Sequence, residues 1–596
     1  MAKIVAAFTI AVMLFLVSSA SAYVTSIHVP SVIVNANIGN LSTVQLNVTP
    51  GTGGVQINGP SEVQSDTLAS AETAAAYAAS YLGLRETSYN FNYTIEDKDV
   101  NVSGPSGGLA FTLLAVAALQ HRQLAQNFAA TGTIQSSGSI GLIGGIFDKS
   151  GAAGFEGMKY ILVPAASNSS FEGLLYYISQ QEHKLPLVEV SNVSDALNYA
   201  FGNVAPNPVS INLTESYNTA SLANTNITCS ACNLSAFAEL TNATFGLAQG
   251  TILNISNNFS TAKQQLLSNL NEYERLVPKG YLYTAADFSF LDYLDSFTLA
   301  NAGSFNNTGA ASLLANVSSY CSSLVPPPLT DTNYEFVIGG RTRQYWANIT
   351  LNDSETLLAN EQTTDDDIQA IRTAASAMGW CSAASNMYEI AATLGGNYVG
   401  TSPSLKTAAA AAINKARNSG SGLYMQAAAQ AYNSGDYAEA LYSATYLSVF
   451  GPSLPSNMST SQIYSQTLNN LSNLTVGIWP SQFGSQSEFY LRQYQLSSGA
   501  SAKSYLDQAY STSQLASGLA VANAEINRSF VASISTGGPL SMPQQVEQQI
   551  SSMQQSITQV YAILLLNAIL LFLVLVVLLV HVLNSHKPAV RERRRR

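Results

Sequence analysis

One serine of the chain has the surroundings that a nucleophile needs. Ser106 lies in the motif Gly-Pro-Ser-Gly-Gly at 104–108, and an apolar stretch of helical character follows it directly. A hydroxyl at a helix N-terminus is close to free backbone N–H groups, which can stabilise negative charge that develops on a substrate. Gly107 and Gly108 would let a substrate backbone approach closely. Because turns of this composition are common, the motif alone is weak evidence for catalysis.

A lysine is the second candidate for chemistry. Lys149 ends the run Gly-Gly-Ile-Phe-Asp-Lys at 144–149 and lies 43 residues after Ser106. A lysine after a glycine pair is usually a solvated charge, but lysine is scarce in this chain. An amine can take a proton from a serine hydroxyl only when it is neutral, which requires burial or a positive field to lower its pKa. Such Ser–Lys pairs are a known variant of the Ser–His–Asp arrangement.

Two other arrangements compete with this pair. A Ser–His–Asp triad would need His28, His121 or His183, and none of them lies in a turn typical of catalytic histidines. The acidic run 365–367 could be taken for metal ligands, but it follows two threonines and is more typical of the first turn of a helix. The sequence therefore predicts no metal and no cofactor.

Taken with their neighbours, the serine and the lysine resemble the proteolytic domain of the Lon protease family. The pattern of that family runs Gly-Pro-Ser-Ala-Gly, Thr-Gly-Glu, Gly-Gly-Leu-Lys-Glu-Lys, Ala-Ala-x-x-x-Gly-x-Lys and a strand closed by Pro-x-x-Asn. The resemblance covers about Tyr23–Gly202, a third of the chain. The matching positions here are GPSGG at 104–108, Thr131-Gly132, GGIFDK at 144–149, Ala152-Ala153, Gly157, Lys159, and Pro164 with Asn168 one residue late.

The resemblance implies a role for each matching residue. Ser106 would be the nucleophile, and Lys149 would take its proton and later deliver it to the leaving amine. Thr131 would orient the amine of Lys149. The fold that the resemblance implies is an α+β Lon-type proteolytic domain, and protein or peptide chains would be its substrates. A homo-oligomer is compatible with it.

The sequence departs from the family pattern at three positions near the site. Ser103 stands where the family has Asp, Thr133 stands where it has Glu, and Gly107 replaces Ala. These differences change the hydrogen bonds expected around the site and leave Ser106 and Lys149 in place. A non-catalytic surface protein that keeps a Lon-like scaffold for partner binding is the alternative function.

Alternating and helical patterns supply the elements that would hold these residues. Beyond Pro206–Pro208 nearly every segment has helical spacing, except Tyr334–Ile349, whose alternation predicts a small hairpin. Residues 424–446 resemble a single tetratricopeptide-like helical hairpin, and an ordinary hairpin explains them equally well. The first domain is predicted to contain a strand pair in Ser26–Thr49, helix Ser65–Leu82, strand Tyr89–Ile95, helix Leu109–Gln120, β-rich Ala130–Ile146, helix Lys149–Phe155, strand Tyr160–Val163, helix Phe171–Gln181, strand Leu185–Val190 and helix Val193–Ala200.

The two ends of the chain predict export and membrane anchoring. Met1–Ala22 has a lysine, an apolar run and an Ala-Ser-Ala site, as signal peptides do. Tyr561–Leu583 is apolar and precedes a basic tail, which predicts a span with the C-terminus in the cytoplasm. The expected fold class is thus the proteolytic domain, a mostly helical domain and one C-terminal transmembrane helix, in a single-pass cell-membrane protein that is mainly extracellular. The predicted divisions are signal peptide 1–22, proteolytic domain 23–203, helical domain 204–555, transmembrane helix 559–583 and tail 584–596.

Cysteines and sequons agree with export. Four cysteines predict two disulfides with the pairing open, and a redox or half-metal role for the Cys-x-x-Cys pair is the lesser alternative: Cys229, Cys232, Cys321 and Cys381. About twenty N-x-[ST] sequons, among them Asn40, Asn226 and Asn316, favour a glycosylated surface.

Charge and missing motifs exclude two classes of partner. The net charge of −11 argues against nucleic-acid binding, which needs a basic surface. No Gly-x-x-x-x-Gly-Lys-[Ser/Thr] phosphate loop occurs in the 596 residues, so no nucleotide is expected. An archaeal surface protein with a Lon-like domain and no ATPase is the kind of relative that the resemblance implies, and it would cut flexible or unfolded segments.

Overall fold

The architecture is known from a computed structural model of the chain. It describes residues 24–535 except for 34–36, 60–62, 97–103, 167–169, 214–216, 218, 230–231, 400–402, 421, 451–457, 473 and 475–476.

A mixed β-sheet forms the centre of the N-terminal region. The strands among the described residues are β1 (Val24–Ile33), β2 (Ile38–Pro50), β3 (Val55–Asn58), β4 (Tyr89–Ile95), β5 (Phe128–Ala130), β6 (Thr133–Ile134), β7 (Ile140–Gly141), β8 (Tyr160–Pro164) and β9 (Leu187–Val190). The order in the main sheet is β3-β4-β2-β1-β5-β8-β9, and β6 pairs with β7 separately. β1–β2 and β2–β4 are antiparallel, whereas the pairs β3–β4, β1–β5, β5–β8 and β8–β9 are parallel. The short β5 and β8 lie between the hairpin and β9, and the residues that follow β5 reach the serine turn.

Helices cover both faces of this sheet. In the described part of the first region they are α1 (Ser65–Tyr81), α2 (Gly108–Leu119), α3 (Ile146–Phe155), α4 (Phe171–His183) and α5 (Val193–Ala200). α1, α2 and α5 share a core with alternate residues of β4, of which Phe91 and Tyr93 are fully buried. α3 and α4 contribute to a second core on Ile161 of β8 and Leu187 of β9.

The second core continues without a break into the C-terminal region. Phe259, Phe288 and Phe489 of that region belong to the same buried cluster as the α3–α4 layer. The helical region therefore packs on the face of the sheet that carries α3. Its helices are α6 (Leu234–Leu253), α7 (Ser260–Glu274), α8 (Leu282–Ala300), α9 (Asn307–Ser323), α10 (Tyr334–Ala359), α11 (Thr364–Thr393), α12 (Pro403–Ala416), α13 (Leu423–Ser434), α14 (Tyr437–Phe450), α15 (Thr460–Ser472), α16 (Ile478–Leu496) and α17 (Gly499–Ser535).

Two local predictions differ from the structure. The predicted hairpin at Tyr334–Ile349 is wrong, because these residues lie within the long helix α10. The lysine-bearing helix begins at Ile146, not at Lys149, so the lysine lies at the end of its first turn. Residues 424–446 do form a helical hairpin, made of α13 and α14.

The predicted membrane anchor needs correction. No helix among the described residues has the length and apolar character to cross a hydrocarbon layer of about 30 Å. The fold class is therefore a mixed α/β domain followed by a helical domain. The C-terminal transmembrane helix, the contact with a lipid bilayer and the single-pass location are not supported. The segments on which that expectation rests, 1–22 and 559–583, lie outside the described residues.

The four cysteines form two disulfides in the helical region. Cys229 pairs with Cys232 just before α6, and Cys321 of α9 pairs with Cys381 of α11. The two cysteines of the second pair are 60 residues apart in sequence, join two helices and lie in a small buried cluster.

Candidate active site

The serine turn is held by the helix that precedes it in sequence. Pro105–Gly107 forms one 3₁₀ turn that continues into α2. Gly104 has φ +103°, a backbone conformation that side-chain-bearing residues rarely adopt. From α1, the Thr67 hydroxyl donates to the Gly104 carbonyl at 3.3 Å and the Ser70 hydroxyl donates to the Pro105 carbonyl at 3.1 Å. The turn is thereby fixed to α1, and Ser106 is left partly exposed.

The segment after β5 fixes the other side of the turn. The Gly132 N–H donates to the Ser106 carbonyl at 2.8 Å, and the Leu109 N–H donates to the Gly132 carbonyl at 3.0 Å. The hydroxyl of Thr131, which is fully buried, donates to the Ser106 carbonyl at 3.3 Å. The Thr131 hydroxyl thus binds the backbone of the serine. Among the described residues, it makes no hydrogen bond to the Lys149 amine, contrary to what the resemblance implies.

The sequence predicts that Gly108 is small so that a substrate backbone can approach, but the structure gives another reason. A β-carbon at this position would lie 2.6 Å from the Ser70 hydroxyl oxygen and 2.7 Å from a methyl carbon of Ile134. Gly108 is buried where α2 meets α1 and β6. The structure therefore explains this glycine by close packing within the protein.

Lys149 reaches the serine from α3. Its amine Nζ donates to Ser106 Oγ at 3.1 Å. Only 5% of the lysine is exposed, and burial lowers its pKa to about 8 although Asp365 and Asp148 act in the opposite direction. The backbone turns into α3 at Gly145, which is left-handed with φ +69°. The amine is therefore close to the hydroxyl and easier to deprotonate than an ordinary lysine.

Two aspartates join the lysine helix to the helical region. The Asp365 carboxylate accepts hydrogen bonds from the Ile146 and Phe147 N–H groups at 2.8 and 2.9 Å. In the opposite direction, the Asp148 carboxylate accepts from the Thr364 N–H at 2.9 Å and from its hydroxyl at 2.6 Å. Each helix N-terminus thus binds a carboxylate of the other helix, as expected for free N–H groups at helix starts.

Burial raises the pKa of both carboxyl groups. The pKa of Asp365 is raised to about 6, and its two backbone hydrogen bonds oppose that rise. The pKa of Asp148 is also raised by burial, against the bonds from Thr364. Both groups are close enough to Lys149 to raise its pKa.

These aspartates are the residues of the site that sequence reasoning missed. The acidic run 365–367 does form the first turn of α11, as predicted. Its contact with α3 spans 219 residues of sequence and leaves no local pattern. The one available signal was the number of carboxylates in the first turn of α11: three aspartates stand there, and the capping box uses one of them.

Two of the histidines considered for the competing Ser–His–Asp triad have other neighbours, and two positions of the family pattern fall outside the described residues. His183 packs edge-on against Phe147, with ring centroids 4.4 Å apart, and His28 lies on β1 within hydrogen-bonding distance of Thr43. Ser106 Oγ has Lys149 as its side-chain partner. Ser103 and Asn168 fall outside the described residues.

Comparison with known proteins finds similarity in the region that contains Ser106 and Lys149. Residues 27–203 match the family model of the Lon protease (S16) C-terminal proteolytic domain. The chain is 27% identical over 140 residues to a protein named Lon protease from Mesomycoplasma hyopneumoniae (strain 232), covering 22% of this chain and 15% of that protein. It is 27% identical over 166 residues to Lon protease 1 of Myxococcus xanthus, covering 27% of this chain and 20% of that protein.

A third relative has a similar level of identity. The Lon protease of Mycoplasma mobile is 26% identical over 176 residues, which cover 28% of this chain and 20% of that protein. The chain thus spans about a fifth or less of the length of these relatives. The matches show that residues 27–203 are similar to the proteolytic domain of Lon proteases.

Proposed function

We propose that this protein is a serine peptidase in which Ser106 and Lys149 form a catalytic dyad that hydrolyses peptide bonds without nucleotide. One observation carries the proposal: a buried amine lies 3.1 Å from the hydroxyl of a serine at the start of a buried helix. That distance is within the range over which a general base removes a proton.

The groups present can carry both halves of an acyl transfer. Neutral Lys149 would take the Ser106 proton while Oγ bonds to the substrate carbonyl carbon, and negative charge would move to the carbonyl oxygen. The N–H groups of Ser106 and Gly107, in the 105–107 turn, would stabilise that charge. The lysine ammonium would then give its proton to the leaving amine as the C–N bond breaks. Water, activated by the same amine, would hydrolyse the acyl ester and restore the serine.

The lowered pKa of Lys149 supports the role of a base. With a pKa of about 8, roughly a tenth of the lysines are neutral at pH 7, against about one in several thousand at the ordinary value of 10.5. Burial is the first cause of this shift. The fold thus keeps a usable fraction of the base form near neutrality.

The substrate proposal rests on the sequence around the domain. No phosphate-loop motif occurs in the 596 residues, and nucleotide-driven unfolding is not part of the proposal. A peptidase without an unfolding motor can act only on chain that already fits the site in extended form. Flexible or unfolded protein segments are therefore the proposed substrates, and the link to archaeal surface proteins stays a prediction.

A serine-directed fluorophosphonate tests the proposal. The full chain should be labelled on Ser106, as mass spectrometry of its peptides would show, and it should cleave casein without added nucleotide. A Ser106→Ala chain should lose both properties. A folded wild-type chain that is neither labelled nor active would leave the non-catalytic scaffold function as the better account. A strict need for ATP would contradict nucleotide independence.

A further inference from the structure

The start of the lysine helix has no cap of its own. Its N-cap residue is Gly145, which has no side chain to accept a hydrogen bond. The first N–H groups of a helix have no partner within the helix. Those of Ile146 and Phe147 are instead satisfied by the carboxylate of Asp365. The only acidic residue in the first turn of α3, Asp148, is directed at Thr364.

Further contacts join the helical region to the start of α3 and to the neighbouring β1–β2 turn. The Asn37 side-chain amide, at the β1–β2 turn, donates to Glu361 at 3.2 Å. A β-carbon on Gly145 would lie 2.5 Å from a methyl carbon of Val32 and 3.3 Å from one of Thr363. Thr363 and Asp366 form a capping box, so the start of α11 is itself fixed. The segment 361–365 is thus seated on the turn that leads into α3.

We propose that Asp365 is a positioning residue of the dyad: by capping α3 from the helical region, it aims Lys149 at Ser106. The inference rests on the proposed function. α3 has ten residues, and its lead-in, Gly144-Gly145, offers little resistance to a change of direction. Lys149 is the fourth residue of the helix, so a shift of the first turn moves its side chain directly. The helical region is therefore part of the active site, not a separate binding module.

Charge at this junction gives the proposal a second readout. Asp365 and Asp148 face Lys149 and raise its pKa against the effect of burial. Asp366 adds to the charge around Asp148. The pKa of the buried Asp367 is raised, first by burial and then by Glu361. On the α4 side lies His183, whose pKa is lowered by burial. Replacing Asp365 by a neutral residue removes the anion that contributes most to raising the pKa of Lys149.

Two variants separate the cap from the charge. Asp365→Ala leaves both N–H groups without a partner, whereas Asp365→Asn keeps the shape and one acceptor oxygen. Both remove the charge. Asp195→Asn is the matched control, because Asp195 is a first-turn acid of α5 in the same domain.

The measurement is the rate of peptide cleavage by the full chain between pH 5 and pH 10. We expect the acidic limb of kcat/KM to move to lower pH in both Asp365 variants, because the lysine loses a proton more easily. We expect the plateau at high pH to fall about ten- to a hundredfold in Asp365→Ala and less in Asp365→Asn, since misplacement of reacting groups has effects of this size. Asp195→Asn should match the wild type in both respects.

Each outcome is decisive once circular dichroism shows folded protein. A contact that merely stabilises the fold would lower the amount of active protein at every pH and leave the limb in place, which overturns the proposal. A wild-type plateau in Asp365→Asn together with an unmoved limb also overturns it, and this milder variant remains informative if Asp365→Ala does not fold.

If Ser106→Ala retains activity, the proposed dyad fails. If Ser106→Ala is inactive and the Asp365 variants behave as wild type, only the positioning role fails.

Discussion

The two halves of the candidate site are held in place in different ways. The serine turn makes its supporting hydrogen bonds to α1 and to the segment after β5, all within the N-terminal region. The lysine helix has its first turn bound by Asp365, which is 219 residues away from Ile146 in sequence. One half is a local motif, and the other depends on how two regions of the chain pack. A substitution at the turn should therefore act through local packing, and one at the junction should act through the position and pKa of Lys149.

The largest effect of local packing is expected at Gly108. Gly108→Ala places a β-carbon within 2.7 Å of atoms of Ser70 and Ile134. We expect a loss of about 1–3 kcal/mol in the free energy of unfolding and a fall in activity, because overpacking must displace α1 or β6. Urea unfolding and peptide cleavage measure the two effects.

Gly246→Ala is the matched control for this substitution. Gly246 is also helical, in α6, and it is exposed, with no described atom beyond its own helix backbone and chain neighbours within 4 Å of an added β-carbon. The Gly246→Ala protein should gain about 0.5–1 kcal/mol in the free energy of unfolding, the usual difference between alanine and glycine in a helix. Equal effects of the two substitutions would show that the serine turn is not tightly packed.

The pH dependence of the rate is the next effect in size and concerns the lysine half. The pKa of Lys149 is lowered to about 8, so the neutral form that acts as base increases as the pH rises through that value. Between pH 7 and pH 9 the neutral fraction, and with it kcat/KM, should rise roughly tenfold. A rate that falls over this interval in folded protein would exclude a lysine base.

The smallest effect is expected for one hydroxyl at the junction. Thr364→Val removes the bond from the threonine hydroxyl to Asp148 and keeps the side-chain shape and the backbone N–H bond. We expect a loss of about 1 kcal/mol in the free energy of unfolding at pH 7. That bond lowers the pKa of Asp148, so the loss should shrink as the pH falls and Asp148 becomes protonated.

A partly exposed threonine of α1 provides the comparison. Thr73 bonds only to the carbonyl of Ala69 in its own helix, and Thr73→Val should change stability very little. If Thr364→Val costs no more than Thr73→Val at pH 7, the reciprocal capping of α3 and α11 contributes nothing to stability.

The serine half of the site was accessible from sequence because its signals are local. Position 104 requires glycine because of its positive φ, and position 108 requires it because of close packing. Both requirements are visible in the sequence as glycines of the motif. The chain distance from Ser106 to Lys149 could be recognised from the resemblance. The orientation of Thr131 could not, because a buried hydroxyl chooses between nearby acceptors through geometry alone.

The lysine half and the helical region show where sequence reasoning stops. Asp365 binds backbone N–H groups, which every residue but proline carries, so nothing in 146–147 marks them as its partners. Tyr334–Ile349 alternates in polarity, but α10 is buried on several sides within the helical region, and burial there does not follow the polar pattern. Long-range packing decided both cases.

The most direct test of the account compares Lys149→Arg with Ser106→Ala in folded full-length protein. Arginine keeps the positive charge and much of the length of lysine but effectively never loses its proton in a protein. If Lys149 is the general base, peptide cleavage at pH 9 should fall about 100- to 10,000-fold in Lys149→Arg, as far as or nearly as far as in Ser106→Ala. A folded Lys149→Arg protein with activity near that of the wild type would contradict the dyad.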